Sequence, residues 1–236
     1  VRTRGLIAAF LLAAGAAGAR ADAPLPGVPP ERRRLVSVGA GLVEPVSRIS
    51  FGSAGGGSAD NGDLGVQFGV QYVQFLTKRL GAGLSVDYFN RGATFSTRLY
   101  PSADAAVAGD TWLLLGLLRF TLLDRGPARP FVLVGAGGAW NKMTVDVRPS
   151  SWPDTATHET RRLLDDSAWT PAAAVRAGLD LVSDAAAPGV VTVEAGWTGL
   201  GSARYAPTPR GEARGVGAVS APLHVLTFAA RYGWRF

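Results

Sequence analysis

The sequence predicts an all-β chain: an eight-stranded antiparallel up-and-down transmembrane β-barrel, preceded by a cleavable signal peptide. Three observations carry this reading. Apolar residues alternate with small or polar ones at period 2 over eight runs, each roughly as long as a tilted strand that crosses a bilayer. The connections between runs alternate between short and long. Aromatic residues band near both ends of the face that would meet lipid.

Taken in order, the chain opens with a basic Val1-Arg2-Thr3-Arg4 and an apolar run from Leu6 to Ala17. Ala19-Arg20-Ala21 then offers an A-x-A cleavage site. The run is shorter than the roughly 20 residues of a spanning helix, so residues 1–21 are expected to be a removed signal peptide. Residues 22–33, with four prolines and a basic end, read as a periplasmic leader. The barrel is expected over 34–236.

The clearest strand is Leu80 to Tyr88, in which every even residue is apolar and every odd one small or polar. An amphipathic helix would instead repeat every three to four residues. Leu64 to Tyr72 alternates in the same way, and Thr77-Lys78-Arg79 links the two as a hairpin. The remaining strands are read at Leu35–Val43, Thr111–Leu122, Phe131–Trp140, Trp169–Val182, Val190–Leu200, and from about Leu223 to the last residue. Long segments near 45–63, 89–110, 144–168 and 201–220 are expected to be external loops. The short links and both termini then face the periplasm. In this topology Tyr88, Trp112, Trp140, Trp169 and Trp197 form the external aromatic girdle. Tyr72, Phe120, Tyr232, Trp234 and Phe236 form the periplasmic one.

Tyr232, Trp234 and Phe236, alternating along the final strand, resemble the C-terminal insertion signal of bacterial outer-membrane barrels. Pro130 to Gly137 and Trp169 leading into Ala177-Gly178-Leu179-Asp180 are similar to segments of the small OmpA/OmpX-like outer-membrane barrel family. The resemblance implies a Gram-negative cell outer membrane, contact with its lipid and with lipopolysaccharide, insertion by the barrel assembly machinery, and a monomer.

The opposite strand face gives the lumen. Asp87, Arg119, Arg176, Asp180, Glu194 and Arg231 all fall on it, and no charge within these spans faces lipid. A lipid-facing arginine near mid-bilayer would cost roughly 2–4 kcal/mol. Counting from the turns puts Arg119, Arg176, Glu194 and Arg231 at comparable heights. They read either as a charged constriction that selects solutes or as an ion network that plugs the barrel. The plug is expected, because eight strands leave room only for side chains. Leu113, Leu115, Leu117 and Leu133 add an apolar wall on the same face. It is expected to be steric filling, although the similar OmpW-type barrels suggest a hydrophobic ligand.

Several classes are not supported. There are no cysteines, so thiol chemistry and disulfides are absent. Removing Arg2, Arg4 and Arg20 from the 24 Lys and Arg leaves 21 against 18 acidic residues, too even a balance to argue for nucleic acid. Gly135 to Trp140 begins like a dinucleotide fingerprint, but no helix follows it. Gly52 to Gly57 lacks a phosphate-loop ending. His158 and His224 are the two histidines. Neither has a serine two residues on, as lipid A deacylases do, and together they suggest no metal site. No catalytic residue, cofactor or metal is therefore expected. The expected role is structural or surface-interacting, carried by the external loops and above all by 144–168 with Trp152, His158, Arg161, Arg162, Asp165 and Asp166. Arg204, Arg210 and Arg214 are candidates for lipid phosphates. The alternatives are a narrow pore for small or hydrophobic solutes and, more remotely, a lipid A-modifying enzyme.

Overall fold

The computed structural model describes residues 33–46, 48–51, 57–60, 64–96, 103–149, 161–182, 189–213 and 217–236. The expected signal peptide, the leader up to residue 32, and Trp152, His158 and Arg214 lie outside these residues.

Eight long strands close into a ring: β1 (Arg34–Pro45), β4 (Gly65–Phe75), β5 (Leu80–Ser96), β6 (Ala103–Thr121), β7 (Ala128–Pro149), β8 (Arg161–Leu181), β9 (Gly189–Tyr205) and β10 (Val219–Arg235). Each pairs antiparallel with the next, and β1 pairs with both β4 and β10, which leaves the ring without an edge. Closure satisfies the backbone where no water can reach it. A short hairpin, β2 (Arg48–Phe51) and β3 (Gly57–Asp60), continues the sheet beside the start of β10.

The alternation seen in the sequence is obeyed side by side. Val66, Phe68 and Val70 of β4 point out, while Gln67 and Gln71 are buried inside. Strand β6, apolar on both faces, splits in the same way: Leu114 and Leu118 are exposed, and Leu113, Leu115 and Leu117 are buried. An apolar exterior around a charged interior is the polarity of a barrel dissolved in lipid.

The strands run well past the expected boundaries. Strands β7 and β8 have 22 and 21 residues, against the 9–11 that a bilayer needs. The segments 89–110 and 144–168, expected as loops, are therefore strand over their described residues, 201–220 is strand at its two ends, and 45–63 contains the β2–β3 hairpin. The reason is a reversal of polarity above the external aromatic row. Tyr88, Trp112, Trp140 and Trp169 stand opposite one another on four adjacent strands. Below that row apolar residues face outward. Above it Met143 and Val145 are buried inside, while Lys142, Thr144 and Asp146 face outward. Period 2 persists, but its phase now suits water outside and a core within.

Pro171 marks a second local change. The β8–β9 ladder ends at Ala172–Leu200, one residue short of a proline that has no N–H to offer it. Above this point the two strands are joined differently. Asp166 Oδ2 accepts from the Ala206 amide at 2.7 Å, and the Thr208 amide donates to Leu163 O at 2.9 Å. Thr208 also caps a one-turn helix, α1 (Pro209–Glu212), by accepting from the Gly211 amide.

Candidate functional site

The interior is the part of the molecule with the most specific chemistry. It is built in layers, starting at the end that carries the short turns.

Leu35, Val73, Phe75, Val182 and Val190 form a small apolar cluster nearest that end. Beside it lies the first charged layer. Arg119 Nη2 donates to Asp180 Oδ2 at 2.6 Å, and Arg235 Nη2 donates to the same oxygen at 3.0 Å. Thr192 Oγ1 donates to Asp180 Oδ1 at 2.8 Å. The Arg119 guanidinium also stacks on Phe131, 3.7 Å from the ring centroid, an arrangement that stabilises a desolvated cation.

The second layer is a closed ring of four. Arg176 Nη2 donates to Asp87 Oδ2 at 2.9 Å, and its Nη1 to Glu194 Oε1 at 3.3 Å. Arg231 Nη2 donates to Asp87 Oδ1 at 2.8 Å, and its Nε to Glu194 Oε1 at 2.8 Å. Two cations and two anions balance, and Gln67 Nε2 adds a longer bond of 3.3 Å to Asp87. All four side chains are essentially inaccessible to solvent. Burying isolated charges would cost several kcal/mol each, and mutual pairing with hydrogen bonds offsets that cost.

Glycines make the ring possible. Gly39 stands opposite Arg231, Gly69 opposite Asp87, and Gly196 opposite Arg176 on the adjoining strands. A Cβ at Gly39 or Gly69 would collide with Arg231 or Asp87. At Gly196 it would fall 2.7 Å from Arg176 Cγ. Each long charged side chain thus lies across a neighbour that has none.

Beyond the ring the interior turns apolar. Leu113, Leu115 and Leu117 are buried there with Phe89, Met143, Val145, Leu164 and Tyr205, and the same continuous cluster runs back past the ring through Leu133 to Phe131. A short polar chain sits within it: Thr111 Oγ1 donates to Asn141 Oδ1 at 2.8 Å, and Asn141 Nδ2 donates to Thr170 Oγ1 at 2.9 Å. The expected apolar wall is therefore fully buried, in one cluster with Val43 of β1 and Leu223 and Val225 of β10.

All six predicted lumen charges lie inside, but at two levels. Arg119, expected at the height of Arg176, Glu194 and Arg231, pairs with Asp180 nearer the short turns. The tilt of the strands displaces residues that counting along the chain would align. Arg235 joins this level as well, because it continues the inward parity of Arg231 by two steps, past Gly233. Phe131, under Arg119, was legible only as a strand residue, and Phe75, near both Arg119 and Arg235, lies past the expected strand end at Tyr72.

On the outer face, Trp112, Phe120, Trp169, Trp197, Tyr232, Trp234 and Phe236 are exposed, and Tyr72, Tyr88 and Trp140 partly so. Trp169 reaches 70%. His224 faces outward and stacks on Trp197, with ring centroids 5.5 Å apart. Of the acidic and basic residues flagged near 144–168, Arg162 donates to Asp146 at 3.1 Å and to Asp165 at 3.0 Å. Those bonds, Asp146 first, raise the guanidinium pKa above its usual value. Asp166 is occupied in joining β8 to the residues after β9.

A closed ring of eight strands with a lipid-compatible exterior and buried interior charges defines an outer-membrane β-barrel, and the cell outer membrane is its location. No family model matches the sequence, and no curated protein does. Solved structures are similar at the level of fold. OprG from Pseudomonas aeruginosa matches at 14% identity, over 87% of this chain and 98% of that one, with a TM-score of 0.51. The outer membrane protease OmpT from Escherichia coli matches at 8%, over 86% and 96%, with a TM-score of 0.43. Neisserial surface protein A matches at 12%, over 86% and 97%, with a TM-score of 0.42. The likeness to OprG shows the shared barrel fold.

Proposed function

We propose that this protein is a sealed outer-membrane barrel that works through its external face, in a structural or surface-interaction role, and that it neither conducts solutes nor catalyses a reaction. The observation that carries this reading is the filling of the interior. Two charged layers are enclosed between an apolar cluster at the short-turn end and a larger one at the other. A solute would have to break the ring of Asp87, Arg176, Glu194 and Arg231 and then displace Leu113, Leu115 and Leu133.

The same packing argues against a hydrophobic-solute path, because the apolar wall has side chains where a ligand would sit. Short turns face the periplasm in barrels of this kind, so the extended strands project outward. There they present Asn90, Asp110, Lys142, Asp146, Arg162, Asp165 and Arg204 on a surface stiffened by the core beneath it. Directly below, the aromatic row and His224 suit the headgroup region of lipopolysaccharide. Catalysis needs a nucleophile with a positioned base, and His224 instead stacks on a tryptophan on the lipid side.

Liposome swelling with small sugars and amino acids tests the proposal. Vesicles that carry the folded protein should swell no faster than empty ones. Swelling that scales with protein content and falls with solute size would overturn it.

A further inference from the structure

The two charged layers differ in one respect that their shared burial hides. In the ring of four, charges balance, and the buried atoms without a hydrogen-bond partner are of both kinds. Glu194 Oε2 and Gln67 Oε1 are acceptors, whereas Arg176 Nε, Arg231 Nη1 and Gln71 Nε2 are donors. Water, which donates and accepts, can satisfy such a mixture.

Among the described residues, the layer nearer the short turns does not balance. Arg119 and Arg235 share one carboxylate, Asp180, whose two oxygens are already engaged by both arginines and Thr192. What remains is donors alone: Arg119 Nε and Nη1, and Arg235 Nε. The Arg119 side chain is 1% exposed, so these groups are removed from bulk solvent. An excess positive charge held among Leu35, Val73, Phe75, Val182 and Val190 is costly without a counter-charge.

We propose that this layer is a binding site for one small monovalent inorganic anion, of the size of chloride. The anion accepts hydrogen bonds from the unused Arg119 and Arg235 donors and brings the layer to neutrality. Monovalence follows from two guanidinium groups facing one carboxylate. Arg235, with 15% of its side chain accessible, marks the way in from the short-turn end. The proposal is independent of the functional reading, because a sealed barrel and an open one could each hold such an ion.

The test uses the refolded full barrel in detergent, at equal ionic strength in sodium chloride, sodium bromide or sodium gluconate. Chloride and bromide should raise the unfolding midpoint by about 5 °C over gluconate, as expected for a ligand bound only by the native state. Arg119→Gln should abolish the difference, whereas Arg162→Gln, at the far end, should keep it. Bromide-soaked crystals give a second readout that needs no variant: anomalous density beside Arg119 and Arg235 is expected. Equal midpoints in chloride and gluconate, or bromide absent from that position, would overturn the proposal.

Discussion

Arg176 and Asp87 lie 89 residues apart in the chain and meet at 2.9 Å across the barrel axis, both fully buried. Their strands, β8 and β5, are separated by two others in the ring, so the pair braces opposite walls rather than neighbours. Through Asp87 and Glu194 the brace extends to Arg231 on β10.

This arrangement makes a pair of substitutions milder than one. Asp87→Leu leaves two buried guanidinium groups sharing Glu194 alone and is expected to cost about 3–5 kcal/mol. Asp87→Leu with Arg176→Met leaves Arg231 and Glu194 as a balanced pair. The double variant is expected to unfold at higher urea than the single one, read by the gel mobility shift between folded and heated protein.

Gly69→Ala should be destabilising by about 1–3 kcal/mol, because the new methyl group occupies the position of the Asp87 carboxylate. Gly138→Ala, whose Cβ meets nothing closer than 3.7 Å, should be nearly neutral. Urea midpoints of the two variants check the contrast.

Adjacent leucines on β6 should respond in opposite ways. Leu115→Ala opens a cavity inside the barrel and is expected to cost about 2–5 kcal/mol. Leu114→Arg puts a charge on the lipid face one outward position below Trp112 and is expected to destabilise in lipid by less than the roughly 2–4 kcal/mol of a midplane arginine. In detergent micelles, which adapt to an outward charge, the second penalty should shrink and the first should not.

How far the sequence could be read follows from these same residues. Inside and outside were legible because a strand alternates strictly, so Asp87, Arg119, Arg176, Asp180, Glu194 and Arg231 could be assigned to the interior. The two leucine-rich faces of β6 were resolved by the phase of Arg119 alone. Which charges meet was not legible, because the level of a residue depends on strand tilt, and that is a property of the closed ring. Strand ends were missed for a different reason. Outward apolar residues mark only the part of a strand that meets lipid, and above Trp140 the apolar residues turn inward. Gly39, Gly69 and Gly196 share the inward parity of their strands, and only the register shows which side chain each accommodates.

Single-channel recording of the refolded barrel in a planar bilayer tests the sealed interior most directly. Folding should first be confirmed by gel mobility. The account predicts no discrete current steps from the native protein in molar salt, and brief openings from the double variant Asp87→Leu/Arg176→Met, which loosens the brace. Stable, salt-dependent steps from the native protein would contradict it, and would mean that the ring of four is a gate rather than a plug.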